Sequence, residues 1–301
     1  MRAVAASLLA LAAVVGHAGA AAPAATPPSA SPAFWKTWGD GKAELSGYAI
    51  VTSRYGAPRE GQVVLIYVTE PMDRRSWIKD DAGDVPASER VNVLKLNHVL
   101  KFQAGIYPYS VMTSVFSPVD PGTAERFSPV KIVMSAQEWC GQVYQRVMPA
   151  ASSLTNELRS YFHADGERND TVKTPAGTLY EDALLTQLRE LDGPFAGGKS
   201  WSGTIVPSLW SQRKAHAALA PVAATIKRDD AMRDGAAVTR FTLAYAKSTI
   251  VYDVEKASPH RVLGWKSSEG EEAKILKTTR LPYWQLNTPG DERYLKDLGF
   301  K

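Results

Sequence analysis

The chain has 301 residues, 45% of them hydrophobic and 22% charged, a formal net charge of +4 and one cysteine, Cys140. The positive excess is spread along the chain. No basic block marks a nucleic-acid or membrane-surface binder. One cysteine excludes an internal disulfide, so stability rests on an apolar core that a chain of this size can supply.

The N-terminus reads as a secretory signal peptide. Met1-Arg2 is a short positive start, residues 3–15 are apolar apart from Ser7, and Ala18-Gly19-Ala20 is a small-x-small cleavage signature. The apolar run is too short to span a bilayer, which takes roughly 20 residues. Cleavage after Ala20 or Ala22 removes one positive charge and leaves no integral membrane segment. No cysteine stands near either site, so a lipid anchor on a mature N-terminal cysteine is excluded. The expected organisation is a leader over 1–22, an Ala/Pro/Ser-rich tether over 23–33 and one β-rich domain over 34–301, working in the periplasm or outside the cell.

Period-two alternation dominates the rest of the chain, with turn residues between the runs. Residues 43–55 read as a first strand ended by Gly56-Ala57-Pro58. Residues 63–69, VVLIYVT, are nearly all apolar and suit a strand covered on both faces. Residues 72–90 are charged and turn-rich and read as an exposed loop. Residues 91–102 alternate, with Leu94, Leu96, His98, Leu100 and Phe102 on one face. Residues 106–116 follow the break at Gly105. Residues 128–148 read as one long strand bent at 135–137, or as two strands. Residues 154–162 alternate again. Thr178 with Glu181 predicts a capping box. Leu184, Leu185, Leu188 and Leu191 then give a helical face, ended by Asp192-Gly193-Pro194. A Gly-rich loop runs on to Gly203. Residues 214–225 are Ala-rich and ambiguous. Residues 238–246, 248–256, 261–267 and 273–284 form hairpins. The pattern predicts a mainly β fold: a curved, partly closed antiparallel sheet, a half-barrel-like meander, with one or two helices on its concave side.

Gly193 to Ser200 satisfies G-x-x-x-x-G-K-[ST], the phosphate loop of nucleotide triphosphatases. That loop works between a buried strand and a helix. Here it follows a helix and precedes Trp201-Ser202-Gly203-Thr204, which does not open one, so it reads as a surface loop. Cys140 falls in an alternating run with Glu138, Gln142, Tyr144 and Arg146. It is a weak candidate nucleophile, paired in space with a histidine, or a small packed residue. His98 stands on an apolar face, as a core histidine or as a polar group inside a ligand cavity. Glu70 and Glu138 are carboxylates at strand ends, suited to acid–base work only if they face one another across a cleft. No spacing calls for a metal or another cofactor. Tyr107, Tyr109 and Trp139 place large amphipathic rings on the strands. With His98 they are the candidate ligand-binding residues.

Several ordered segments carry a resemblance: Trp38-Gly39-Asp40-Gly41-Lys42-Ala43-Glu44, Tyr55-Gly56 with Arg59-Glu60-Gly61, Thr69-Glu70-Pro71, Val93-Leu94-Lys95-Leu96-Asn97, residues 105–116, and Gln137-Glu138-Trp139-Cys140-Gly141. Together they resemble a family of uncharacterised exported bacterial proteins, many of them lipoproteins, some labelled as Maf-type septum formation inhibitors. Genuine Maf proteins are cytoplasmic nucleotide pyrophosphatases with an N-terminal Ser-x-x-Pro-Arg-Arg segment, which this chain lacks. The resemblance therefore implies no such activity. The last hairpins, ending in Leu281-Pro282-Tyr283-Trp284, resemble the periplasmic half-barrel proteins that include lipoprotein carriers. The sequence supports non-catalytic binding of a lipid or another apolar or amphipathic envelope ligand. The alternatives are an exported hydrolase or transferase using Cys140 or Glu138 with a histidine, and a structural or interaction protein of the envelope.

Overall fold

The computed structural model describes residues 30–120, 127–195 and 198–300. The leader and most of the tether lie outside the described residues. The alternating runs form one antiparallel meander in two stretches. The first holds β1 (Ala43–Arg54), β2 (Ala57–Asp73), a two-residue flap β3 (Ile78–Lys79), β4 (Arg90–Ala104), β5 (Tyr107–Pro118), β6 (Lys131–Glu138), β7 (Gly141–Pro149), β8 (Ser153–Ser160) and β9 (Glu167–Lys173). The second holds β10 (Leu179–Tyr180), β11 (Ser200–Val206), β12 (Val222–Arg233), β13 (Ala236–Tyr245), β14 (Ser248–Glu255), β15 (Val262–Ser267) and β16 (Glu272–Leu281). The two stretches join where β16 pairs with β1, from Ala43 opposite Leu281 to Val51 opposite Glu272.

The sheet is open: β9 ends one side and β10 the other, with no pairing between them among the described residues. Yet only residues 174–178 connect β9 to β10. Six Cα steps span at most about 20 Å, so the two edges come close and the sheet curls. Three short helices occupy the concavity: α1 (Pro32–Trp38), α2 (Glu181–Gln187) and α3 (Leu209–Ala215). Phe34 and Trp38 of α1, Leu184 of α2 and Trp210 of α3 belong to the same apolar cluster as Leu65, Leu96 and Phe241 from the strands. Among the described residues one α-helix more than the upper expectation forms. Alpha-1 takes up the end of the stretch read as tether, because Ser31 caps it, Pro32 opens it and Ala30 is buried.

The run at residues 63–69 behaves as its composition requires. Val63, Leu65 and Tyr67 face the main core. Val64, Ile66 and Val68 face a second, smaller cluster with Ala43, Leu45 and Leu298, under a C-terminal 3₁₀ segment over Asp291–Leu298. β1 serves both by simple alternation: Ala43 and Leu45 face the outer cluster, Tyr48 and Ile50 the inner core. The register shift opposite Gly47/Tyr48 leaves the extra residue on β16, at Leu276. Gly47 is glycine because a Cβ there would run into the Leu298 carbonyl.

Several expectations are corrected. The helix predicted from Thr178 starts at Glu181. Tyr180 is its N-cap without a side-chain bond, and the Thr178 hydroxyl instead donates to the Pro175 carbonyl. Of the two readings of residues 128–148, two strands form, with the turn at Trp139-Cys140, and the single strand bent at 135–137 does not. The loop expected to run to Gly203 is already strand from Ser200. Of the Gly193–Ser200 motif, residues 196–197 lie outside the described residues. The rest runs from a helix toward β11, opposite to the order a phosphate loop needs.

Candidate functional site

A parallel ladder of two residues builds the interior site. Leu179 pairs with Ile205 and Tyr180 with Val206, so the chain leaves both strands in one direction and starts α2 and α3 side by side. The first two residues of α2 are Glu181 and Asp182. Glu181 Oε2 accepts the Ser208 N–H at 3.0 Å, and Asp182 Oδ2 accepts the Leu209 N–H at 3.0 Å. Both carboxylates thus satisfy amides at the start of α3 that no intrahelical carbonyl can reach.

The strands opposite close a cavity of about 80 Å³. Tyr245, at the end of β13, donates its hydroxyl to Glu181 Oε2 at 2.8 Å. Glu271 accepts the Trp265 indole N–H at 2.8 Å and the Thr52 hydroxyl at 3.1 Å. Ser248 donates to Glu269. His98 of β4 reaches the same space, its ring centroid 6.0 Å from that of Trp265. Four carboxylates, Glu181, Asp182, Glu269 and Glu271, therefore line a volume to which Lys214 brings the one amine. Aromatic walls come from Tyr245, Tyr252, Trp265 and Trp210.

Burial sets the electrostatics. It pushes the Glu181 carboxyl up to about 7, against the opposing pull of the Ser208 N–H and the Tyr245 hydroxyl. It pushes Asp182 up to about 6, against the Leu209 N–H. Burial also raises the Tyr245 hydroxyl, and the Glu181 charge raises it further. His98 is held below the usual imidazole range by burial, partly offset by the Glu271 charge. The cavity resists negative charge while being built from groups that carry it. Among the described residues no cluster of His, Cys, Asp and Glu has the arrangement to hold a metal ion.

The other predicted residues lie elsewhere. Tyr109 is buried and stacked on Phe102, with ring centroids 4.7 Å apart. Tyr107 lies between Tyr109 and Trp139, at 5.9 and 6.4 Å. Trp139 is 68% exposed. Cys140 sits with it in the β6–β7 turn, exposed, and not in a strand, because Glu138 pairs directly with Gly141. Its thiol is pushed up by a hydrogen bond to Glu138 and by that carboxylate's charge, the reverse of nucleophile activation. The groove beside Cys140 is lined by no histidine among the described residues, and His98 belongs to the interior cavity. Glu70 is paired with Lys95 at 2.7 Å, near one end of the strands, while Glu138 is at the turn on the other. These two carboxylates do not face one another.

Of the residues singled out in the sequence, His98 lines the interior cavity; Glu181, Asp182, Tyr245, Glu269 and Glu271, which line it too, were not read there as site residues. One signal was present. Glu181 falls three, four and seven residues before Leu184, Leu185 and Leu188, so it lies on the apolar face of the helix.

Fold and site together define an open, curled antiparallel sheet with an acid-lined interior cavity. No family model matches the chain, and no curated protein matches it. Among solved structures it is similar to a beta-barrel-like protein of a domain of unknown function, DUF1849, from Brucella abortus. The identity is 11% and the TM-score 0.47, over 79% of this chain and 97% of that one. The likeness to Maf-labelled exported proteins has no counterpart in these comparisons. No helix among the described residues is long and apolar enough to cross a membrane.

Proposed function

We propose that the protein is an exported, non-catalytic binding protein of the bacterial envelope, and that its interior cavity holds the cationic end of a small or amphipathic ligand. The observation that carries this reading is the cavity lining: four carboxylates and four aromatic rings against one lysine. Buried carboxylates with raised pKa values gain from a nearby cation, and aromatic walls favour one through their ring faces. The volume favours a compact group. An apolar cavity of about 150 Å³ takes one benzene, so about 80 Å³ suits an ammonium or guanidinium group and not an acyl chain. The amphipathic ligand expected from the sequence is thereby narrowed to one that leads with a positive charge. Export rests on the leader-like residues 1–22.

Isothermal titration calorimetry with butylammonium, guanidinium and tetramethylammonium ions tests the reading. At least one is expected to bind at pH 8, to weaken as the pH falls through about 7 and about 6, and to be lost in Glu181→Gln. Binding of neutral isosteres such as urea with equal affinity, or no cation binding at all, overturns it.

A further inference from the structure

Alternate hairpin turns of a meander share one rim of the sheet. Here the β1–β2 turn carries Tyr55, the β4–β5 turn Ile106, the β6–β7 turn Trp139 and Cys140, and the β8–β9 connection Tyr161. Tyr55, Trp139 and Tyr161 are 59, 68 and 75% exposed. Their rings are braced from below. The Tyr55 hydroxyl lies 2.7 Å from that of Tyr109, Trp139 leans on Tyr107, and Tyr161 lies so close over Gly141 that a Cβ there would stand 2.5 Å from its ring. The result is a band of aromatic rings with one side supported and the other open to solvent.

Between Trp139 and Tyr161 the band opens into a groove of about 540 Å³, within the range of ligand sites at about 300–1,000 Å³. Its floor and walls are polar. Gln137, Gln142 and Glu167 line it, and their side chains make no hydrogen bond with the described residues. Glu138 Oε2 is buried there with no hydrogen-bond partner. Such an acceptor costs free energy until a donor arrives.

We propose that this groove binds a glycan. A beta-linked pyranose chain offers a flat C–H face to an exposed ring and a fringe of hydroxyls that both donate and accept. Trp139 and Tyr161 supply the ring faces. Gln137 and Gln142 donate and accept, and Glu138 and Glu167 accept from sugar hydroxyls. A bilayer surface is the rival occupant for exposed tryptophan and tyrosine. Glu138 and Glu167 outnumber the one cation of the groove, Arg159, whose guanidinium is already engaged by Glu157, Asn169 and the Arg168 carbonyl, so the groove opposes anionic headgroups. The free amides have nothing to satisfy them in an acyl region. The site lies apart from the acid-lined cavity and does not depend on it.

Cys140 lines the groove and gives the native chain its own reporter. The rate of Cys140 modification by a chromogenic disulfide is measured with and without chitohexaose, cellohexaose, or phosphatidylethanolamine–phosphatidylglycerol vesicles. At least one hexasaccharide is expected to slow the reaction in a saturable way. Trp139→Ala and Tyr161→Ala, both at exposed positions, are expected to weaken calorimetric binding about tenfold each with an unchanged circular dichroism spectrum. Glu181→Gln is expected to leave it unchanged. Protection by vesicles and not by either glycan overturns the proposal, as does protection by neither, or glycan binding that survives both aromatic substitutions.

Discussion

Arg189 and Glu44 form a buried two-pronged ion pair, Nη1 to Oε1 at 2.7 Å and Nη2 to Oε2 at 3.2 Å. Both side chains are 1% exposed. Arg189 comes just after α2 and Glu44 lies in β1, so the pair pins the helix carrying Glu181 and Asp182 to the middle of the sheet. The guanidinium is satisfied further by the carbonyls of Pro259 and His260 and lies 4.5 Å from the Tyr67 ring centroid. A charge buried this deeply is tolerated because each donor in use has an acceptor.

Removing one partner leaves the other charged, dry and alone. Glu44→Ala is expected to cost about 3–5 kcal/mol of stability. Arg189→Met is also strongly destabilising. In a double-mutant cycle with Glu44→Leu, the pair is expected to show a coupling of about 1–3 kcal/mol, read from urea denaturation midpoints. Additive losses would mean that the two residues act independently, against the geometry.

Stability is expected to fall as pH rises from about 4 to 8. In the folded protein burial places the Glu181 carboxyl near 7 and the Asp182 carboxyl near 6, both above their unfolded range. Between the unfolded and folded values the native state holds protons that the unfolded chain has released. The stabilisation is therefore complete below about pH 4 and lost as pH rises through about 6 and 7, on the order of 3 kcal/mol for Glu181. Glu181→Gln keeps an acceptor for Ser208 and Tyr245 but cannot ionise. Its melting temperature is expected to depend less on pH than that of the parent, and to exceed it at pH 8. Equal pH slopes for the two proteins would refute the assignment.

The strands that the sequence made legible are those with one dry face or two. Residues 63–69 announce burial on both faces by composition, and residues 91–102 set Leu94, Leu96, Leu100 and Phe102 on one face toward the core, with Val91 and Val93 buried on the other. The missed strands lack that contrast. Beta-9, ERNDTVK, is exposed along nearly its whole length because it is the edge of the sheet. Its charges discourage further pairing. Beta-11 reads as a loop because Gly203 and its serines carry little strand preference. The interior site was hidden for a different reason. Its carboxylates come from α2 and from the β15–β16 turn, and the β10–β11 ladder that aims α2 is two residues long. No local pattern specifies such a contact, although an acid on the Leu184–Leu188 stripe marked one of its residues.

Gly47 measures how tightly the C-terminal segment is seated. A methyl group at this position meets the Leu298 carbonyl, a backbone atom held by the segment's own turn. Gly47→Ala is expected to cost about 1–3 kcal/mol and to lift residues 291–300 from β1 and β16. Limited proteolysis should then cut the chain near residue 290 while the remaining sheet stays resistant. An unchanged digestion pattern would show that the segment yields without detaching.

Cys140 tests the electrostatics of the β6–β7 turn. Exposure makes the thiol accessible, so one equivalent of a chromogenic disulfide is expected to react with the folded protein. Glu138 holds the proton on sulfur, through a hydrogen bond to it and through negative charge beside it. Since the thiolate is the attacking species, the reaction at neutral pH should be slower than that of a free cysteine. Glu138→Gln removes the charge while keeping the shape, and is expected to speed modification several-fold at pH 7. The advantage should disappear well above the thiol's own pKa, where both proteins are fully ionised. A rate unaffected by Glu138→Gln at pH 7 would place the control of this thiol in the backbone of the turn and not in its acidic neighbour.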